Sequence, residues 1–214
     1  GKSLIEIGCG AGEYLQILNE LNPRCYGIEH DESSLVVARG KDLNVFPMFL
    51  ETGAETIPEG PFDGFIFLNF LEHIPDPTAM FSGIRNNLVE QAIGIVEVPN
   101  LDMIMRESLF SEFVTDHLFY FSKETLVASL MMNGFEVLKC EETWHTYTLT
   151  AIVRKRPPLK TIGVDAFCTQ LKNSFNNFVD RYPQHGVAIW GAGHQAFTIM
   201  ALAKLGGGIR YVVD

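Results

Sequence analysis

Short apolar runs alternate with amphipathic segments along most of the chain, the pattern of a parallel sheet covered by helices. The apolar runs predict strands over 3–7, 24–29, 45–49, 62–68 and 92–98. The amphipathic stretches between them predict helices over 12–21, 33–40 and 77–88. Asp76-Pro77 supplies an N-cap followed by proline in the first helical turn. A further helix is predicted over 122–132, because it opens on the capping signal Ser122-Lys-Glu-Thr-Leu126 and closes at Asn133-Gly134. Two strand-like runs, 135–141 and 146–153, follow with no helix between them, so they are expected to close the sheet as an antiparallel pair.

Arg154-Lys-Arg-Pro-Pro158 interrupts this pattern and has the composition of a linker. Beyond it the strand, glycine turn, helix and strand order starts again. A helix is expected over 163–181, then the strand Val187–Trp190, the turn Gly191-Ala-Gly193, a helix over 194–204 and a strand over 209–213. The expected division is therefore 1–156 and 157–214, both α/β, the second smaller. Phe167, Leu171, Phe175 and Phe178 recur at three- and four-residue spacing and are expected to pack in the core of the second part. The chain begins within three residues of its first buried strand and stops on Tyr211-Val-Val-Asp214, so it is expected to be a piece of something longer.

Composition narrows the class. A hydrophobic share of 47% against 20% charged residues is that of an ordinary globular protein. No apolar run approaches the roughly 18 residues of a membrane span, so no membrane partner is expected. Cys9, Cys25, Cys140 and Cys168 lie far apart with no paired spacing, which suggests neither a disulfide framework nor a metal site, and makes a reduced, cytoplasmic setting the default expectation. Charge is unevenly spread: residues 1–155 carry 10 Lys+Arg and 23 Asp+Glu, a net of −13, whereas 156–214 carry 6 and 3, a net of +3. So acidic a first part repels phosphate backbones and excludes nucleic acid as its expected substrate; the second would tolerate an anionic ligand.

The chemistry starts at Leu4-Ile-Glu-Ile-Gly-Cys-Gly-Ala-Gly12. Glycines at Gly8, Gly10 and Gly12 let a strand-to-helix turn bring its N–H groups close to a ligand. The spacing is GxGxG, not the dinucleotide GxGxxG. Glu29, 21 residues after Gly8, ends the second strand, where a carboxylate can accept from ribose hydroxyls. Taken with Glu51-Thr-Gly-Ala-Glu55 and Phe62–Pro77, in that order, these features resemble class I S-adenosylmethionine-dependent methyltransferases. The resemblance implies a Rossmann-like sheet and S-adenosylmethionine as cofactor. It also implies that Glu6 supports the cofactor's amino group, that Glu29 holds the ribose, and that Leu68 and Asn69 flank the ligand. The loop at 51–55 would edge the adenine; Gly53 stands where the family often has Asp, which leaves backbone contacts from Ala54.

Val96-Glu-Val-Pro-Asn100 ends the fifth strand, and Asp116-His117-Leu-Phe-Tyr-Phe-Ser122 follows. That second stretch resembles the D/E-H-x-x-x-F-S signature of bacterial deoxysugar C-methyltransferases, and residues 187–193 and 209–214 resemble their C-terminal domain. The resemblance implies methylation at C3 of a nucleotide-linked 4-ketosugar, with the second domain helping to hold the sugar nucleotide. Carbon methylation requires a base to remove a proton beside the ketone and a donor near the enolate oxygen. His117 is the candidate base, Asp116 its acidic neighbour, and His73 the candidate contact to the ketone or enolate oxygen. Two departures stand out: Val114 takes a slot that carries Tyr in the family, and the family's N-terminal zinc-binding domain is not in this chain. Three other readings stay open. One is O- or N-methylation of another small metabolite. Another is a non-catalytic binding module. The last is a dehydrogenase using Gly191, Gly193 and Ala196, whose acid would be Asp214. Oligomeric state is not readable.

Overall fold

The central apolar runs become strands because each must be covered on both sides. In the computed structural model, which describes residues 1–157, 163–182 and 186–213, β1 (Leu4–Ile7), β2 (Cys25–Glu29) and β4 (Phe62–Leu68) are nearly continuous buried segments. With β3 (Val45–Pro47), β5 (Leu88–Pro99), β6 (Phe135–Thr143) and β7 (Thr148–Lys155) they form one seven-stranded sheet of order β3-β2-β1-β4-β5-β7-β6. Neighbours from β3 to β5 are parallel, and β7 runs antiparallel to both β5 and β6. This is the Rossmann-like sheet that the resemblance implies, closed by the antiparallel pair the sequence predicts.

The helices are α1 (Glu13–Leu21), α2 (Glu32–Gly40), α3 (Pro77–Asn86), α4 (Leu101–Arg106) and α5 (Lys123–Met132). Asp76 caps α3 by accepting from the Ala79 N–H at 3.0 Å, and Ser122 and Thr125 form a reciprocal capping box on α5. The third helix stops at Asn86, not 88, because Asn87 is buried and used elsewhere. Its side chain accepts from Ile57 N–H at 2.7 Å and donates to the Glu55 and Gly83 carbonyls. β5 consequently begins at Leu88, earlier than the sequence suggests, with an irregular register opposite Phe62 and Gly64. α4 is a short helix absent from the sequence reading; buried Asn100 caps it through the Asp102 N–H at 3.1 Å.

The core on one face is aromatic. Phe65 packs on Phe135 with ring centroids 5.4 Å apart, and Phe81 reaches the same ring at 5.7 Å. Across the ladder Phe65 faces Gly94, and a Cβ at Gly94 would lie 2.0 Å from the Phe65 ring. The bare glycine is what lets the phenyl ring lie flat over β5.

The chain divides into two compact units, Gly1–Pro157 and Pro158–Asp214. Pro158 and Lys160 of the expected linker, and Asp214, lie outside the described residues. The second unit holds α6 (Val164–Asp180), β8 (Val187–Trp190), α7 (His194–Ala203) and β9 (Ile209–Val213), with β8 and β9 parallel. The aromatic stripe on α6 is only partly internal, which corrects the expectation of a fully packed row. Phe175 and Phe178 line an apolar cavity with Val187 and Ile199, but Phe167 is 61% exposed and Phe178 50%. α6 is also longer than the strands of its unit: 17 helical residues extend about 25 Å, whereas strands of four and five residues cover about 13–17 Å.

The basic cluster is tied to the first unit. Lys155 Nζ donates to the Leu88 carbonyl at 2.7 Å and pairs with Glu90, and Arg156 N–H donates to the Gly134 carbonyl at 3.0 Å. Limited trypsin digestion is therefore expected to cut after Lys160 and to spare Arg154 and Lys155. Mass spectrometry of the first fragments checks this; initial cleavage at Arg154 or Lys155 would show that the cluster is not held.

Candidate active site

The glycine turn is locked in place by its neighbour strand. Gly8, Gly10 and Gly12 all have left-handed backbone (φ 69°, 53° and 81°), which a side chain would strain. The Gly8 and Cys9 N–H groups both donate to the Ile28 carbonyl at 3.0 Å. Glu29, 6% exposed, then ties the turn to the end of β2. Its carboxylate accepts from Gly10 N–H at 2.9 Å, His30 N–H at 2.7 Å and Asp31 N–H at 2.8 Å. A carboxylate has about four acceptor sites, so one remains for a ribose hydroxyl.

Glu6 is buried beneath the turn. Burial, followed by the charge of Glu13, raises its carboxyl from the ordinary 4.5 to about 8. Its Oε2 has no hydrogen-bond partner among the described residues. An ammonium group is the partner such an oxygen fits, and S-adenosylmethionine carries one. Burial pushes the neighbouring Cys9 thiol up to about 12, with the charges of Glu6 and Glu29 adding to the effect, so Cys9 is an inert packing residue.

A crevice too narrow to admit water runs beside Gly8 and Glu29, walled by His30, Met48, Phe49 and Phe70. The His30 and Phe49 rings lie 5.2 Å apart. Flat aromatic and thioether walls suit a purine. Ala54 is not on this cleft: it is exposed, and its N–H donates to Thr52 Oγ1 at 3.2 Å. Gly53 (φ 75°) is pressed on α3, where a Cβ would lie 2.9 Å from the Ala79 carbonyl oxygen, so the family's Asp has no room here. Glu55 closes the same loop by accepting from the Glu51 and Thr52 N–H groups, which hold its carboxyl down at about 2. Met48 and Phe49 fall inside the strand expected over 45–49, but β3 stops at Pro47 and leaves them free to wall the crevice.

The other side of the site is built by a long-range clamp. Leu118 and Phe119 N–H donate to the Glu72 carbonyl at 2.8 and 3.2 Å, fastening the 114–119 loop onto the single-turn helix Leu71–His73. The clamp brings His73 and His117 edge to face, 4.8 Å between ring centroids. His73 Nδ1 lies 2.9 Å from the Asp116 carbonyl oxygen, and since a carbonyl only accepts, Nδ1 carries the proton. Glu72 is 2% exposed, and burial raises its carboxyl pKa. The Tyr120 hydroxyl accepts from the Val114 N–H at 3.0 Å and donates to the Val114 carbonyl at 3.1 Å.

Leu68 ends β4 half-buried, and Asn69 follows with φ 46°. Asn69 Nδ2 donates to Glu97 Oε1 at 3.1 Å, and Thr150 Oγ1 donates to Glu97 Oε2 at 2.8 Å. Glu97 and Asn69 line a cavity of about 320 Å³ with Tyr14, Trp144 and Tyr147. Tyr147 is bonded to Glu112, which pushes its phenol up to about 12. Glu97 and the β6–β7 turn were not identified from sequence. The glycine turn, Glu29, Leu68 and Asn69 all sit at the carboxyl ends of parallel strands, where open α/β sheets take their ligands.

Residues 1–139 match the methyltransferase domain family. C-methyltransferase NovU of Streptomyces niveus is 23% identical over 141 residues, 64% of this chain and 34% of that protein. The ubiquinone biosynthesis O-methyltransferase of Idiomarina loihiensis is 30% identical over 117 residues, 45% of this chain and 48% of that protein. The chain thus spans between a third and a half of the length of these relatives. Magnesium protoporphyrin IX methyltransferase from Synechocystis PCC 6803, solved with bound S-adenosylhomocysteine, shares the fold: TM-score 0.56 at 18% identity, over 72% of this chain and 74% of that one. Among the described residues no helix is long and apolar enough to cross a membrane.

Two outcomes are expected. Glu29→Ala strands the Gly10, His30 and Asp31 N–H groups, so it should cost about 1–3 kcal/mol of ligand-free stability and remove most of the melting-temperature rise given by S-adenosylhomocysteine. A variant that keeps that rise would exclude Glu29 from the binding site. Glu6 binds its proton more tightly folded than unfolded, so its contribution is neutral below pH 4.5 and grows unfavourable as pH rises through about 8. Ligand-free stability should therefore fall across that window, and Glu6→Gln should flatten the fall. Denaturation midpoints at pH 5 and 8 decide it, and an equal slope in both proteins counts against a buried, protonated Glu6.

Proposed function

Since the chain belongs to the methyltransferase domain family, whose methyl donor is S-adenosylmethionine, we propose that it methylates C3 of a nucleotide-linked 4-ketodeoxysugar through an enolate. The observation that carries this reading is the pairing of His73 with His117, 44 residues apart in sequence and 4.8 Å apart in space. Methyl transfer to oxygen needs mainly alignment of donor and acceptor. Transfer to carbon needs a proton acceptor as well.

In this reading His117 takes the C3 proton, and the electron pair of the C–H bond moves into the enolate. The enolate carbon attacks the methyl group, the new C–C bond forming as the S–CH3 bond breaks. S-adenosylhomocysteine and the C3-methylated ketosugar leave, and His117 returns its proton to solvent. His73, oriented by the Asp116 carbonyl, lies beside the enolate oxygen, and Asp116 supports the pair with its carboxylate 3.7 Å from His73 Nδ1. Glu6, Gly8, Gly10, Gly12 and Glu29 hold the donor, Leu68 and Asn69 flank it, and Met48 and Phe49 take the adenine edge that Ala54 does not reach. The second unit, Pro158–Asp214, carries five Lys+Arg against three Asp+Glu, a net of +2, and so tolerates an anionic ligand. The acidic first unit disfavours nucleic acid as acceptor.

His117→Ala is expected to lower methyl transfer about 10²–10⁴-fold while leaving S-adenosylhomocysteine affinity nearly unchanged. Deuterium exchange at C3 of a 4-ketosugar in D2O, first established in the parent protein, reads the proton step alone. Exchange at the parent rate in the variant would remove His117 as the base. Methyl transfer to an oxygen acceptor without any C3 exchange would overturn carbon methylation.

A further inference from the structure

We propose that Glu72, His73 and His117 form a binding site for one divalent transition-metal cation. One donor atom from each of the three side chains lies within 4.8 Å of the other two. Ligands bound to one ion at about 2.0–2.2 Å stand roughly 3–4 Å apart, so a closure of about an ångström completes the set. Two imidazole nitrogens and one carboxylate oxygen suit Zn²⁺, Mn²⁺, Fe²⁺ or Co²⁺.

The surroundings are those of a built site. Glu72 Oε2 and His117 Nδ1 are buried without a hydrogen-bond partner among the described residues, and Glu72 itself is 2% exposed. A buried carboxylate oxygen and a buried ring nitrogen left unmatched on two residues of one donor cluster can both be satisfied by one cation. His73 is prepared for the same task. Its Nδ1–H is spent on the Asp116 carbonyl, which fixes the tautomer and leaves the Nε2 lone pair for an ion; ligating histidines are commonly oriented in this way. The Leu118 and Phe119 bonds to the Glu72 carbonyl hold the two halves together. None of this shows in the sequence, where Glu72-His73 and His117 have no metal-ligand spacing.

The proposal goes beyond the methyl-transfer reading and does not depend on it. A nitrogen that holds a cation cannot take a proton, so the loaded form and the form in which His117 acts as a base exclude each other. Occupancy is thus a means of closing the proton step without touching the donor half of the site.

Co²⁺ is the probe, titrated into the chelator-treated full chain and followed by visible absorption, with no methyl donor or acceptor present. One Co²⁺ per chain is expected, saturating in the micromolar range and without a thiolate charge-transfer band. Glu72→Gln and His73→Ala should each weaken binding at least tenfold. The melting-temperature rise with S-adenosylhomocysteine, preserved in either variant, certifies that it is folded. If one variant loses that rise, the other carries the test. No saturable binding below millimolar Co²⁺, a thiolate band, or unchanged binding in a folded variant would overturn the site. Failure of carbon methylation alone would leave this result untouched.

Discussion

Everything in the donor half of this protein depends on one carboxylate. Glu29 gathers the N–H groups of Gly10, His30 and Asp31 and so couples a left-handed glycine turn on one strand to the end of the next. Three glycines give that turn its freedom, and freedom alone would leave it mobile; the carboxylate converts it into a single shape. Because Glu29 is nearly buried, its three bonds are made away from competing water, where their loss would be felt in full. The same group then stands at the mouth of the cleft with capacity to spare. Structure and, in the proposed function, recognition are carried by one residue.

The acceptor half is organised differently. No covalent neighbour links the Leu71–His73 turn to the 114–119 loop. A carbonyl, that of Glu72, does so by receiving two N–H groups from across the sheet edge. Two histidines and a buried carboxylate converge as a result, and their spacing follows from backbone hydrogen bonding more than from the side chains.

Most of the sheet was legible in the sequence because buried parallel strands must be apolar on both faces and because helix caps are local. Asp76 and Ser122 cap as their identities suggest. What was not legible depended on distant partners. Asn87 ends α3 through bonds to residues 55 and 57, and α4 exists because buried Asn100 caps it while its side-chain amide also reaches Thr146. In the site, the glycines and Glu29 were visible as a motif with strand context. Met48, Phe49 and Glu97 were not, since an apolar pair or an acid carries no mark of the cavity it will face. The aromatic stripe on α6 shows the reverse error: periodicity identifies a face, but only the packing partners decide how much of it is covered, and Phe167 and Phe178 stay exposed.

The meeting of Phe65 and Gly94 has a consequence for how this sequence can vary. The ring fills the volume that any side chain on Gly94 would need, so the two positions share one allotment of space across two strands. Neither can drift alone: a larger residue at 94 is admissible only in a lineage that has first given up the phenyl ring at 65. Phe135, packed against that ring at a tilt, would then inherit the hole. Close relatives should therefore change at these positions in concert or keep them both.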